Sequence, residues 1–245
     1  MKRRHPRLSN DGMTSTIEAP EEFVSGSARA ARRRLMAVSL PIAALLLTIG
    51  EAVMPKGLDN QSSDLASVTK QVVIAGQHVG RFYVASVLIM FGLAALAVSF
   101  SAIATLITRR GAALATIAAV IGAVALTCGI IANTAVNYAL AGAASAHPDA
   151  EVAGRMWLHV DSSAITNAIS VLYFFGLIVA TALAALALWR GKAVARWIAV
   201  AFALTSYVAL FAGPGVVPGV PQSLPFVAVM IYLGVRVWRT TSARA

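Results

Sequence analysis

The chain has 245 residues, of which 58% are hydrophobic and only 12% are charged. A soluble domain has about a quarter of its residues charged, because its surface must be hydrated. This chain has too little polar surface to cover a body in water, so its composition predicts a membrane protein. The net charge of +10 would indicate a nucleic-acid partner in a soluble protein. The positions of the charges argue against that partner.

The positive charges follow the apolar segments in a regular way. Sixteen of the twenty Lys and Arg residues lie before the first apolar segment or after the second, fourth or sixth: Lys2, Arg3, Arg4, Arg7, Arg29, Arg32, Arg33, Arg34, Arg109, Arg110, Arg190, Lys192, Arg196, Arg236, Arg239 and Arg244. Only Lys56, Lys70, Arg81 and Arg155 lie at the opposite ends. Cytoplasmic loops of membrane proteins carry such an excess. The pattern predicts an all-α, polytopic transmembrane helical bundle of six spans in the cell (plasma) membrane, with both termini cytoplasmic and no nucleic-acid partner.

The N-terminal segment differs from the rest of the chain. Residues 1–34 are polar, contain Pro6 and Pro20 and lack apolar periodicity, so a disordered basic cytoplasmic tail is predicted. Residues 35–239 form the predicted six-helix transmembrane domain, and residues 240–245 a cytoplasmic C-terminal tail. We expect anionic lipid headgroups to bind the basic residues beside the first span, which are Arg29, Arg32, Arg33 and Arg34.

The spans are predicted, in chain order, at residues 35–54, 80–108, 112–140, 162–189, 194–212 and 223–238. The outer loop after the first span has an apolar second half, residues 65–74, which predicts a short interfacial helix. The polar segment 141–161 is predicted as a second outer loop, and the Gly- and Pro-rich segment 213–221 as a third. Tryptophans near span ends are typical of the membrane interface, and the chain has Trp157, Trp189, Trp197 and Trp238 there.

Two short matches indicate an internal repeat. Residues 86–93 match residues 170–177 at six of eight positions, and residues 110–115 resemble residues 190–195. The offset changes from 84 (170 − 86) to 80 (190 − 110), which is about one helical turn and preserves the direction in which side chains face. Spans 2–3 and 4–5 are therefore candidates for a parallel duplication. A chance match in an Ala-, Leu- and Val-rich chain is the alternative.

The polar residues of the spans concentrate on the outer side. An unpaired polar group in hydrocarbon is costly, so these residues should face one another or water. They define a hypothetical polar cleft between spans 1, 3 and 4, formed by Glu51, His78, Arg81, Asn133, Asn137, His159, Asp161 and Asn167.

Glu51 is the strongest single candidate, because a carboxylate inside a span must either pair with a cation or take up a proton. It lies 16 residues into the first span, or about 24 Å along it. Two readings stay open. The polar residues can join helices, with Glu51 paired to Arg81 or His78, or they can form an outward-facing pocket that binds or passes a small solute or a lipid headgroup.

Motifs for enzymatic chemistry are weak in this sequence. Three histidines, His78, His147 and His159, share the outer side with acidic residues and could bind zinc, but no HExxH spacing is present. Walker A, GxGxxG, GxSxG and CxxC patterns are absent, and Cys128 is the single cysteine. We therefore expect a non-enzymatic protein without a metal or a cofactor.

The six-span plan, the Arg-rich inner turns, His78-Val79-Gly80-Arg81 and Gly219-Val220-Pro221-Gln222 resemble the uncharacterised six-span integral membrane proteins of actinobacteria. The resemblance implies the span plan and no catalytic residue. The expected function is binding or transport of a small solute or lipid through the outward-facing cleft. A structural or regulatory membrane partner subunit is the second hypothesis, and a membrane-embedded metal-dependent hydrolase the third. Besides the lipid bilayer, a second copy of the chain or an unknown membrane protein is the candidate partner.

Overall fold

The computed structural model describes residues 21–56, 58, 64–108, 110–146, 149–211 and 220–242. These residues form eight helices and no strand, so the all-α class is confirmed. Four helices are long and apolar enough to cross a membrane, which indicates a membrane-embedded protein. The helices are α1 (Glu21–Val53), α2 (Leu65–Gln77), α3 (Val79–Thr105), α4 (Ala112–Ala146), α5 (Ala150–Asp161), α6 (Ala164–Gly191), α7 (Arg196–Phe211) and α8 (Val220–Ser242).

The four candidate spans are α1 from Ala31 onward, α3, α4 and α6. Helices α7 and α8 occupy the places of the fifth and sixth predicted spans. Helix α1 begins at Glu21, so residues 21–34 of the predicted tail extend this helix, and α8 likewise includes residues 240–242. Residues 1–20, most of the predicted 213–221 turn and residues 243–245 lie outside the described part of the chain.

Two short helices lie between the long ones, and aspartates begin both of them. The Asp64 carboxylate accepts hydrogen bonds from the backbone N–H groups of Ala66 and Ser67, each at 3.1 Å. Asp149 accepts from Glu151 N at 2.9 Å and begins α5 in the same way. Such bonds satisfy N–H groups that have no partner inside a helix. The short helix predicted at residues 65–74 is therefore present as α2.

The predicted loop at residues 141–161 is wrong. Helix α4 continues to Ala146, and α5 forms from Ala150 to Asp161. The helix is amphipathic: Ala153 and Trp157 are buried, with Trp157 only 2% exposed and its indole N–H donating to Val136 O of α4 at 3.3 Å. The charged residues of the other face made the segment look like a loop. Trp157 is thus a core residue, whereas Trp189, Trp197 and Trp238 are exposed.

The six longer helices form a closed ring. Each helix packs against the next in the order α1, α3, α4, α6, α7 and α8, and α8 packs against α1. Closure depends on a close backbone contact. Pro41 cannot donate to the Ala37 carbonyl, and Gly234 of α8 lies against that carbonyl, where a Cβ would approach within 2.8 Å of the oxygen. Small residues allow such approaches between helices in lipid, where packing replaces the hydrophobic effect.

Helices α2 and α5, which we call the cap, pack against each other at one end of the ring. Helix α3 has 27 residues and α4 has 35, so they measure about 40 Å and 52 Å. Both exceed a hydrocarbon core of about 30 Å, and their surplus turns join the cap. A separate core cluster results, formed by Met54, Leu58, Val68, Val72, Ala75, Phe82, Ala85, Leu140, Ala141, Ala143, Ala153 and Trp157.

The opposite end, which we call the basic end, holds the turns between α3 and α4 and between α6 and α7. The two turns pack on each other: a Cβ on Gly111 would lie 3.0 Å from Ala187 O, and one on Gly191 would lie 2.8 Å from Ile107 Cγ2. Gly111 has φ +95°, a conformation that favours glycine. Cation–π contacts also occur here, with the Arg34 and Arg196 guanidinium groups each 5.5 Å from an indole centroid, those of Trp238 and Trp189.

Large apolar side chains cover the outside of the ring. On α3, Val84, Phe91 and Val98 recur every seven residues and are 53%, 56% and 43% exposed. Helix α4 exposes Ile117, Val120, Val124 and Ile131 in the same manner. Such continuous apolar bands are rare on water-soluble monomers. The bands are consistent with a lipid environment.

Candidate functional site

Four residues from four helices lie at one level of the ring, where the hydrophobic core of the six longer helices meets the separate core cluster of the cap. Gly50 of α1 packs on Ile89 of α3, and a Cβ on Gly50 would lie 2.7 Å from Ile89 Cγ1. Gly129 of α4 packs on the Tyr173 ring of α6, where the corresponding distance to Cδ2 is 2.5 Å. Ile89 and Tyr173 lie ten and nine residues from the first residues of their helices, so both are about 14–15 Å from the helix start.

Glu51 follows Gly50 and therefore lies at this level. Its side chain is partly buried. Within the described residues, its carboxylate has no hydrogen bond and no ion pair. Val38, Ile42, Leu45 and Ile49 form an exposed apolar face of α1, and Glu51 lies about 200° from Ile49 around the helix. Glu51 therefore points toward the interior of the ring, at the level of Tyr173.

Arg81 does not pair with Glu51. Its Nε donates to Val53 O at 2.6 Å and its Nη2 to Ala52 O at 3.5 Å. These carbonyls end α1 and have no intrahelical donor, so a guanidinium is a favourable partner for them. His78, the single residue between α2 and α3, is exposed, and its own backbone N–H donates to Ala75 O at 3.2 Å. The proposed pairing of Glu51 with Arg81 or His78 is wrong for this structure.

Asn133 and Asn137 interact with each other on α4. Asn137 Nδ2 donates to Asn133 Oδ1 at 2.6 Å, and Asn137 is buried. Asn133 Nδ2 is buried without a hydrogen-bond partner. Both residues lie on the cap side of Gly129, one and two turns further along the helix. They place amide groups on the cap side of the level of Glu51, and neither side chain lies on the exposed face of α4.

The polar residues at the start of α6 stabilise the turn between α5 and α6. Ser163 Oγ accepts from Thr166 N at 3.2 Å, and Thr166 Oγ1 donates to Val160 O at 2.9 Å. Asn167 Nδ2 donates to Ser162 O at 3.2 Å. These bonds satisfy carbonyl and N–H groups at helix ends. The polar residues at the start of α6 thus have a local structural use.

The last turn of α5 carries His159 and Asp161. His159 is exposed, and Asp161 is partly buried. Burial raises the pKa of the Asp161 carboxyl above its ordinary value, because desolvation disfavours the charged form. The opposite holds for Asp64, where the N–H groups of Ala66 and Ser67 and the Ser67 side chain lower the carboxyl pKa.

The eight candidate residues therefore do not form one cluster of contacts. The structure brings Arg81 to the end of α1 beside Glu51, and Asn133 to Asn137. His78, His159, Asp161 and Asn167 contribute to helix ends and turns. Tyr173 was not among the candidates. The match between residues 86–93 and 170–177 aligns Tyr173 with Ile89, which contacts the glycine before Glu51.

No group of three His, Cys, Asp or Glu side chains comes together in the part of the chain that the structure describes. His147 lies outside the described residues. The side chain of Arg29 also lies outside them, whereas Arg32 and Arg34 are exposed and Arg33 is partly buried.

Comparison with known proteins adds no assignment: no family model, no curated protein and no solved structure matches the chain.

Proposed function

We propose that the protein is a non-enzymatic six-span bundle of the cell membrane, with the basic end and both termini in the cytoplasm, that binds or moves a small solute in the ring interior at the level of Glu51. The observation that carries this proposal is the Glu51 carboxylate, which lies in a bundle of apolar helices and has no partner among the residues that the structure describes. The orientation is supported by the excess of Lys and Arg at the basic end.

A buried charge without a partner costs several kcal/mol, and natural membrane proteins retain such groups where they have a function. The nearest strong cation, Arg81, is occupied by the Val53 and Ala52 carbonyls. Glu51 is therefore available for a partner that enters from outside the chain. A merely structural carboxylate would be expected to bind Arg81 directly.

The test is a thermal-shift screen of the purified full-length protein in detergent against small cations, neutral solutes, anions and headgroup analogues. A ligand at a hundredfold excess over its Kd stabilises a protein by about 2.7 kcal/mol, or roughly 5–10 °C for a chain of this size. We expect one class to raise the Tm of the wild type and of Glu151→Gln but not of Glu51→Gln. Glu151 is a suitable control because it is exposed and pairs with Arg155 at 2.7 Å.

A shift that persists in Glu51→Gln, or the absence of a shift with every class, contradicts the proposal. The second hypothesis, a structural or regulatory partner subunit, then gains if deletion of residues 1–28 alters the phenotype while Glu51→Gln does not. The basic end gives this hypothesis an observation of its own, because residues 162–245 contain no Asp or Glu and six Lys or Arg residues: Arg190, Lys192, Arg196, Arg236, Arg239 and Arg244. Arg110, in the turn that packs on Gly191, adds a further positive charge at this end.

A further inference from the structure

We infer that the site at Glu51 takes a small cation, an inference that rests on the proposed function and specifies the charge of its ligand. The span segments carry the first part of the argument. Residues 35–53, 82–105, 112–146, 164–189, 197–211 and 220–235 contain one charged side chain, that of Glu51. The ring interior therefore has a single negative charge and no cation of its own between the basic end and the level of Arg81.

Among the described residues, Arg81 is the cation that lies beside the end of α1 near Glu51, and it is held by other groups. Its two bonds to the carbonyl groups of α1 leave its charge partly neutralised by the negative end of that helix. Turning Arg81 toward Glu51 would give up both of its bonds to the end of α1, where the carbonyl groups have no intrahelical donor. The arrangement thus keeps the carboxylate free and the protein's own cation away from it.

The facing side of the interior is suited to a cation as well. On the α6 side Tyr173 is partly buried, whereas its neighbour Phe174, with ring centroids 4.9 Å apart, is 42% exposed and faces outward. An aromatic ring and a phenol oxygen both attract a positive charge, and neither repels the Glu51 carboxylate as a second acid would. The close packing of Gly50 on Ile89 and of Gly129 on Tyr173 limits the space at this level. A small ammonium or guanidinium group meets these requirements.

The test uses two thiol reagents of similar size and opposite charge, a trimethylammonium-ethyl and a sulfonatoethyl methanethiosulfonate. They are applied to full-length Tyr173→Cys in a Cys128→Ser background, which removes the single native cysteine. Each rate is divided by the rate of the same reagent with a small free thiol, because the cationic reagent reacts faster with any thiolate. A carboxylate within a few ångström attracts one reagent and repels the other, so we expect the cationic reagent to have a normalised rate about tenfold higher or more. Glu51→Gln should bring the ratio of rates close to one, Glu51→Asp should preserve the preference, and Glu151→Gln should leave it unchanged.

The outcomes separate the two proposals. Equal rates with both charged reagents, or a cationic preference that survives Glu51→Gln, overturn the inference about charge while leaving an accessible interior. If only a neutral, membrane-permeant methanethiosulfonate reacts, the interior is closed to water-soluble solutes and the proposed function is wrong too. Should Tyr173→Cys fail to fold, Ser170→Cys, three residues earlier on α6 and partly buried, replaces it in the same experiment.

Discussion

A small number of side chains determine the chemistry of this bundle, and their hydrogen bonds decide which of them remain available. Arg81 stabilises the end of α1, and Asn167 stabilises the turn before α6. Asp64 and Asp149 begin the two cap helices. Glu51 is different, since it has no such use within the described residues. Its free carboxylate is therefore the residue on which the functional proposals depend.

Asp161 gives a prediction about pH. Because burial raises its pKa in the folded protein, ionisation opposes folding: the unfavourable contribution is absent below the ordinary pKa of about 3.9 and develops as the pH rises through the folded pKa. Its place at the C-terminal end of α5 adds an unfavourable interaction with the helix dipole. We therefore expect Asp161→Asn to raise the Tm by a few degrees at neutral pH.

The measurement is thermal unfolding in detergent between pH 3.5 and pH 8 for both proteins. The difference between them should shrink as the pH falls and vanish once Asp161 is protonated in the folded and unfolded states. A variant that is less stable than the wild type at neutral pH would show instead that the charge of Asp161 contributes a favourable interaction.

At the scale of helices, two antiparallel pairs use the same contact. In α1 and α3 a glycine, Gly50, packs on Ile89, and in α4 and α6 Gly129 packs on Tyr173. Ile89 of α3 and Tyr173 of α6 are 84 positions apart (173 − 89), which is the offset between the matching segments 86–93 and 170–177, the octapeptide match. Gly92 and Gly176, which share that offset, also contact the paired helix. The duplication stays a prediction, and it would account for these equivalent contacts in the two helix pairs.

Two glycines of α4 provide a matched pair of substitutions. A Cβ on Gly129 would lie 2.5 Å and 2.6 Å from two atoms of the Tyr173 ring, whereas nothing lies within 4 Å of a Cβ on Gly142. Gly129→Ala should therefore destabilise the protein by about 1–3 kcal/mol, as overpacking does. Gly142→Ala should be neutral or stabilise it by up to about 1 kcal/mol through helix propensity.

Equilibrium unfolding in detergent measures both effects. Because Tyr173 belongs to the proposed site, Gly129→Ala should also weaken the ligand-induced thermal shift, while Gly142→Ala should not. Equal stability of the two variants would contradict the close packing of α4 on α6.

At the scale of the whole molecule, the sequence predicted the helical class and most helix boundaries. Apolar length and turn residues determine where a helix can lie in lipid, and both are local properties. Helix α5 was missed because its buried residues are few, mainly Ala153 and Trp157, among charged neighbours. The cap and the closure of the ring were not predicted either. Closure depends on Gly234 meeting Ala37, a contact between distant residues that no local pattern indicates.

The candidate site was predicted in part. Glu51 follows from the cost of a carboxylate in hydrocarbon, which the sequence alone reveals. The sequence alone could not show that Arg81 bonds to other groups instead of Glu51. That outcome depends on where the carbonyl groups of Ala52 and Val53 lie relative to α3. The octapeptide match indicated Tyr173 only as the counterpart of Ile89, and its place at the level of Glu51 depends on how the helices are arranged in the ring.

Cross-linking of Glu51→Cys to Tyr173→Cys in the Cys128→Ser background tests most directly whether the two residues face each other inside the ring. We predict that a short bis-methanethiosulfonate joins them within one chain, detected by intact-protein mass. The control pair combines Glu51→Cys with Val179→Cys, an exposed position on the same α6 helix, and should not be joined. Absence of the cross-link between positions 51 and 173, or equal cross-linking in the control pair, would contradict an interior site at Glu51.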